Sequence, residues 1–282
     1  MLQKYDLKFA IPLKGEHLGQ PQPSMLPAWF LALGTFAIGT EGFMIAPLLP
    51  TIAADLGMSL SATAMLVVVF TLVLALSSPI GTVITGGLRR RDTLLLAMTI
   101  FTVGNLIAAF APGFGTLMFA RILMAVAAGL YAPNANALAG MIVPTEKRGR
   151  ALAIVSGGMT IAITLGLPLG SIIGHAFGWR STFLMVAAMG AIAIIGILTG
   201  VGRNAGAHMA IVSIADRIGV IRQAPVLKLL SVTLFWSMGA YTPIPISPPI
   251  SPRRWASPTG ALRQPSRSGA YSRHSACSPA AH

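Results

Sequence analysis

The chain has 282 residues, of which 54% are apolar and only 10% charged, and a formal net charge of +13. A water-soluble domain usually carries about 25% charged residues, so this balance excludes an ordinary soluble fold. The positive charge does not indicate a nucleic-acid partner, because Lys and Arg fall between apolar blocks rather than on a polar face.

Residues 1–26 read as a cytoplasmic N-terminal segment with Lys4, Lys8 and Lys14. The apolar block that follows is too long for a signal-peptide core. Six blocks then recur, at 27–49, 60–85, 93–112, 114–142, 150–175 and 179–201. Each is about 20 residues or more, the length a helix needs to cross a hydrocarbon core of roughly 30 Å. Pro27 suits a first helical turn, and Ser59 or Ser61 can cap the second block. Helices are expected throughout, because in lipid every backbone group has to be satisfied within its own segment. Residues 202–225 form a polar cytoplasmic linker, and 226–242 a short, truncated seventh helix. From residue 241 the chain holds eight Pro, eight Ser, five Arg and no acid. The segment 243–282 therefore reads as a Pro/Ser/Arg-rich disordered tail or as out-of-frame sequence. The second reading is favoured because the segment interrupts the seventh span. The lone Cys277 lies in it, so neither a disulfide framework nor a cysteine metal site is expected.

Basic residues set the expected orientation. Leaving the tail aside, with the N-terminus in the cytoplasm 13 basic residues between the spans or at their ends fall inside and only Arg180 falls outside.

Few ionisable groups lie within spans, where they are costly and mark function. Glu41 is the only carboxylate deep in any segment. Desolvation favours its neutral form, which makes it a candidate proton carrier. Arg121 stands about seven residues into segment four, roughly 10 Å deep at 1.5 Å per residue. Glu41 stands about eight residues from the outer end of segment one, roughly 12 Å deep. The matched depths predict a coupled pair across a polar cavity; the competing reading is that Arg121 only ties helix ends together. Asn105, Tyr131 and Asn134 are the polar candidates for that cavity, with Asn136 on another face. His175 reads as an interfacial residue, and Glu146 with Lys147, Arg148 and Arg150 as a solvated turn.

Segment five carries a ladder of small residues at Gly158, Ala162, Gly166, Gly170, Gly174 and Gly178. Such a stripe allows close approach of a neighbouring helix, and Pro168 is expected to bend the segment. No phosphate-binding loop, His/Cys metal cluster or nucleophile elbow is present. ATP-driven transport, catalysis, cofactors and metal sites are therefore not expected.

Several motifs resemble the major facilitator superfamily, in particular its drug and sugar efflux branch of proton antiporters. They are GTEGFMIAPLLPTIAADLG at 39–57, RILMAVAAG at 121–129 and TLGLPLGSIIGHAFGWR at 164–180. The resemblance makes the 39–57 stretch the end of helix one, with Pro47 and Pro50 at the membrane exit. It makes Gly166, Pro168, Gly170 and Gly174 the antiporter motif of helix five, at an interface between two halves. It also identifies GTVITGGLRRRD as the loop between helices two and three. There Gly81, Arg89, Arg90 and Arg91 survive, but Thr85 stands where an acid normally latches the loop. Members of the superfamily have twelve helices. The expected fold is therefore an all-α membrane protein: a six-helix N-terminal half plus a truncated seventh helix and the tail. The resemblance implies proton-coupled efflux of a small organic solute across a bacterial inner membrane. The expected partners are membrane lipid, protons, a small-molecule substrate, and a second copy or second half. Drug, sugar and nucleoside all fit as substrate. The alternative is a non-transporting membrane scaffold or inactive remnant.

Overall fold

The structure is a computed structural model that describes residues 25–203, 205 and 223–241. The expected N-terminal segment, most of the 202–225 linker and the 243–282 tail lie outside the described residues. Within them the chain is helical, with no strand. We number the helices α1 (Leu26–Asp55), α2 (Leu60–Ile84), α3 (Arg90–Ala109), α4 (Phe114–Met141), α5 (Arg148–Ile161), α6 (Leu167–Phe177), α7 (Trp179–Gly200) and α8 (Ala224–Tyr241). A five-residue π turn, Ala162–Gly166, joins α5 and α6 into one continuous fifth span. Six spans of 20 to 33 residues are long and apolar enough to cross a membrane. At 1.5 Å per residue they cover about 30–50 Å, enough for a roughly 30 Å core with tilt to spare.

Local chemistry sets the boundaries. Pro27 occupies the first turn of α1, where a missing N–H costs nothing. The same helix runs on through Pro47 and Pro50 to Asp55, so neither proline ends it. Each removes one hydrogen bond, a loss that a helix in lipid tolerates when neighbouring groups compensate. What stops α1 is Gly57 at φ +63°, after which the Met58 N–H reaches the Ala53 carbonyl at 2.9 Å. That is the Schellman arrangement, which needs a left-handed residue past the helix end. Ser59, not Ser61, caps α2, its Oγ accepting from the Ala62 N–H at 3.2 Å. Gly178 at φ +87° turns α6 directly into α7.

Around the bundle, α2 packs on α4, α4 on α3, α3 on α7, α7 on α1 and α1 on the fifth span. Contacts of α4 with α5 and of α1 with α2 close the ring. The spans of α1 and α4 are the most buried, those of α2 and the fifth span the most exposed. Large apolar side chains such as Leu72, Ile84, Phe110, Ile172 and Phe177 lie on the outside. An apolar exterior of this extent suits lipid and not water. With lipid outside, shape complementarity and close packing rather than water exclusion hold the helices together.

The fifth span shows this packing directly. A Cβ on Gly158 would strike the Ala32 carbonyl and approach the Phe36 N–H. On Gly166 it would strike Thr40, on Gly170 Met44, and on Gly174 Leu48. Four residues along one helix match four along the other, so α1 and the fifth span run parallel. The ladder therefore packs on α1. The opposite side of the span presents Ile161, Ile163, Leu165, Leu169 and Ile172 outward. Gly178 is not a rung, since a Cβ there meets nothing within 4 Å. The irregularity expected at Pro168 takes the form of the π turn: Pro168 sits in the first turn of α6, just after it. Proline lacks the N–H that would bond the carbonyl four residues back, and its ring crowds that carbonyl.

By contact clustering the chain divides into two units, residues 1–217 and 218–282. The second contains α8, a mainly apolar helix with Leu227, Leu230, Leu234, Phe235 and Trp236 exposed.

Candidate functional site

Glu41 lies midway along α1, and Arg121 in the second turn of α4. Both side chains are fully buried, and Arg121 Nη1 donates to Glu41 Oε1 as an ion pair. α1 extends further past Glu41 than its sequence suggested, yet the two groups meet. Two charges removed from water at this depth are maintained only if they compensate one another. The compensation is partial. Glu41 Oε2, Arg121 Nε and Arg121 Nη2 are buried without a hydrogen-bond partner. So are Thr40 Oγ1, next to Glu41, and Asn105 Oδ1 on α3. A Cβ on Gly104 would crowd Met124 and the Ala120 carbonyl of α4, so Asn105 stands at the level of Arg121. Asn105 Nδ2 donates to the Phe101 carbonyl of its own helix at 2.9 Å. One flat face of the Arg121 guanidinium is covered by Phe70 of α2, 4.0 Å from its ring centroid.

Tyr131 and Asn134 were expected to line the same cavity, and both have their polar groups engaged elsewhere. The Tyr131 hydroxyl, fully buried against Gly34, donates to the Leu31 carbonyl at 3.0 Å and so ties α4 to α1. Asn134 donates to the Leu130 carbonyl at 2.6 Å and accepts from Arg90 Nη1. Asn136 bonds within its own helix, to Ala132.

The loop motif is held without its acid. Arg89 caps α3 through its backbone and is exposed. Arg90 reaches Asn134, and Arg91 Nη2 donates to the Leu198 carbonyl in the last turn of α7 at 2.9 Å. Thr85 bonds back to Gly81 at 2.7 Å, and Gly81 itself presses on Leu130 of α4. At the other end of the bundle a second cluster forms. Asp55 accepts from Arg180 Nη1 at 2.6 Å and from Trp179 Nε1 at 3.1 Å. Arg180 also donates to the Ala111 carbonyl and stacks on Trp179. The solvated turn at Glu146, Arg148 and Arg150 is exposed, as is His175, which lies 2.7 Å from the Ser171 carbonyl.

Sequence reasoning missed Phe70 and the Asp55 cluster. Phe70 is the only aromatic residue in α2, a usable signal in an otherwise aliphatic span. Asp55 and Arg180 lie 125 residues apart and meet only in three dimensions.

A bundle of six apolar spans whose central helices share a buried ion pair defines a multi-pass helical membrane protein. Residues 31–262 match the Major Facilitator Superfamily, and the chain belongs to that family. It is 35% identical to an uncharacterized MFS-type transporter of Bacillus subtilis, YbcL, over 76% of this chain and 54% of that protein. It is 34% identical to a chloramphenicol resistance protein of Streptomyces lividans, over 62% of this chain and 45% of that protein. The chain thus spans about half the length of the curated relatives it matches. Among solved structures it resembles the peptide transporter POT in complex with alafosfalin, with a TM-score of 0.61 at 15% identity. That match covers 76% of this chain and 46% of the transporter. At this identity the likeness speaks for the fold alone.

Proposed function

We propose that the chain is the N-terminal lobe of a proton-coupled efflux permease for a small organic solute of drug or sugar type. In this reading it resides in a bacterial inner membrane with its N-terminus inside. The buried Glu41–Arg121 pair carries the proposal. A carboxylate held by one guanidinium nitrogen, with its second oxygen unpartnered, can exchange its hold on Arg121 for a proton. Arg121 Nε and Nη2 form an edge suited to a solute acceptor, which would compete with Glu41 for the same cation. Asn105 Oδ1 supplies a nearby acceptor. A chloramphenicol resistance protein and a probable sugar efflux transporter among the relatives support the solute class, and rocking of two lobes about a midplane site supplies the transport cycle. The chain spans about half the length of its relative YbcL, and a second copy or a second half would complete the site.

The test is export of a fluorescent drug from cells expressing the full chain, with and without a protonophore. Glu41→Gln is expected to reduce proton-driven export at least tenfold, matching the effect of the protonophore. Glu41→Gln export at the full rate would sink the proposal. Stable oligomers with no flux and no dependence on Glu41 would instead favour the scaffold reading.

A further inference from the structure

The Arg121 guanidinium uses one in-plane nitrogen on Glu41, while Nε and Nη2 have no protein partner. Of its two flat faces, Phe70 covers one. Phe70 is one of four buried residues of α2, only 7% exposed on a helix whose side chains mostly point outward.

We propose that Phe70 is a second seat for the Arg121 cation, a positioning residue whose aromatic face holds the guanidinium in place when Glu41 is neutral. This rests on the reading of Glu41 and Arg121 as the coupling pair. A guanidinium does not give up its proton in a protein. When Glu41 takes up a proton, Arg121 therefore remains a buried cation that has lost its counter-charge. The quadrupole of an aromatic face attracts a cation whatever the state of Glu41. Its share of the total rises once the carboxylate charge is gone. Among the described residues no other charged group substitutes for it. Among the elements packed on α1 and α4, α2 carries no ionisable residue and α4 adds only Tyr131, which is bonded to Leu31. Arg90 and Arg91 stand at the start of α3, committed to Asn134 and Leu198, with Asp92 beside them. The fifth span has Arg148 and Arg150 at one end and His175 near the other. Arg180 begins α7 and pairs with Asp55. An aromatic side chain on α2 therefore links this lobe's outermost helix to the charge state of its central pair.

The experiment is a double-mutant cycle on the full chain in lipid nanodiscs, read as the apparent unfolding temperature. Phe70→Leu, Phe70→Tyr and Phe70→Met are each made in the wild-type and in the Glu41→Gln background. Gln keeps the hydrogen bond to Arg121 and removes the charge. The loss caused by Phe70→Leu is expected to be about twice as large in the Glu41→Gln background, because the π face then acts alone. Phe70→Tyr is expected to keep stability in both backgrounds. Phe70→Met closes the same cycle with a flexible apolar side chain should Leu fail to give folded protein. Equal losses in the two backgrounds mean packing only and overturn the proposal, as does a Tyr variant that loses as much as Leu. The readout needs no flux. A non-additive cycle beside proton-independent export rejects the coupling reading and leaves the Phe70 seat standing; an additive cycle rejects Phe70 alone.

Discussion

Gly157 and Gly158 are neighbours in sequence and differ sharply in consequence. A Cβ on Gly158 would meet backbone atoms of α1, which cannot move aside without shifting a whole helix. On Gly157 it would meet open space. Gly158→Ala is therefore expected to destabilise the bundle by about 1–3 kcal/mol through overpacking. Gly157→Ala should be neutral or stabilising by up to about 1 kcal/mol, since Gly weakens a helix interior. Unfolding by SDS titration of the two variants side by side checks this, and equal effects would count against it. The four-residue spacing already marked Gly158 as one of the ladder in the sequence. Its partner, the Ala32 carbonyl, could not be read there, because a period identifies a face and not what lies opposite. The charged pair was legible for a different reason. Charges within spans are so few that matched depth nearly determined which two would meet.

The connection between α2 and α3 shows how three identical side chains diverge. Arg89, Arg90 and Arg91 are indistinguishable in sequence, yet they face solvent, Asn134 and the end of α7 respectively. A cation near a helix C-terminus satisfies an orphan carbonyl and opposes the negative end of the dipole. Arg91→Ala is expected to cost about 1.5–3 kcal/mol, the range for a hydrogen bond to a charged group. Arg89→Ala should stay within about 0.5 kcal/mol, as exposed substitutions do. Thermal unfolding of the two purified variants separates them, and a larger loss for Arg89 would contradict the assignment. The missing acid at Thr85 suggested an unlatched loop. The structure has instead a latch rebuilt from Asn134 and a backbone carbonyl. The fifth span likewise combines two devices. Its small residues dock on α1, and its π turn stands where Pro168 interrupts the hydrogen-bond ladder. The sequence displayed the proline and the glycines, but how the helix yields, by bend or by π turn, depends on the neighbour against which it packs.

At the scale of the whole chain, the sequence pattern of 13 basic residues in one set of connections against Arg180 in the other predicts the N-terminus inside. In a Cys277→Ala background, Ser61→Cys is expected to react with an impermeant maleimide in intact cells. Glu146→Cys should react only after permeabilisation; both positions are exposed. The reverse pattern would refute the orientation. The parallel register of α1 and the fifth span agrees with either absolute orientation, since helices one and five of an alternating chain cross in the same direction.

Span number, span order and the rare intramembrane charges were set by composition alone, because lipid admits only long, uniformly apolar, self-bonded helices. Which helices sit at the centre, which faces meet, and which polar atoms are left without partners were decided by packing. Apolarity no longer distinguishes inside from outside when the solvent is lipid, so sequence hydrophobicity could not separate the Ala32 side of the fifth span from its Ile172 side. Close steric fit made that choice. The same fit brought Phe70 over Arg121 and left polar atoms of the buried pair without hydrogen-bond partners.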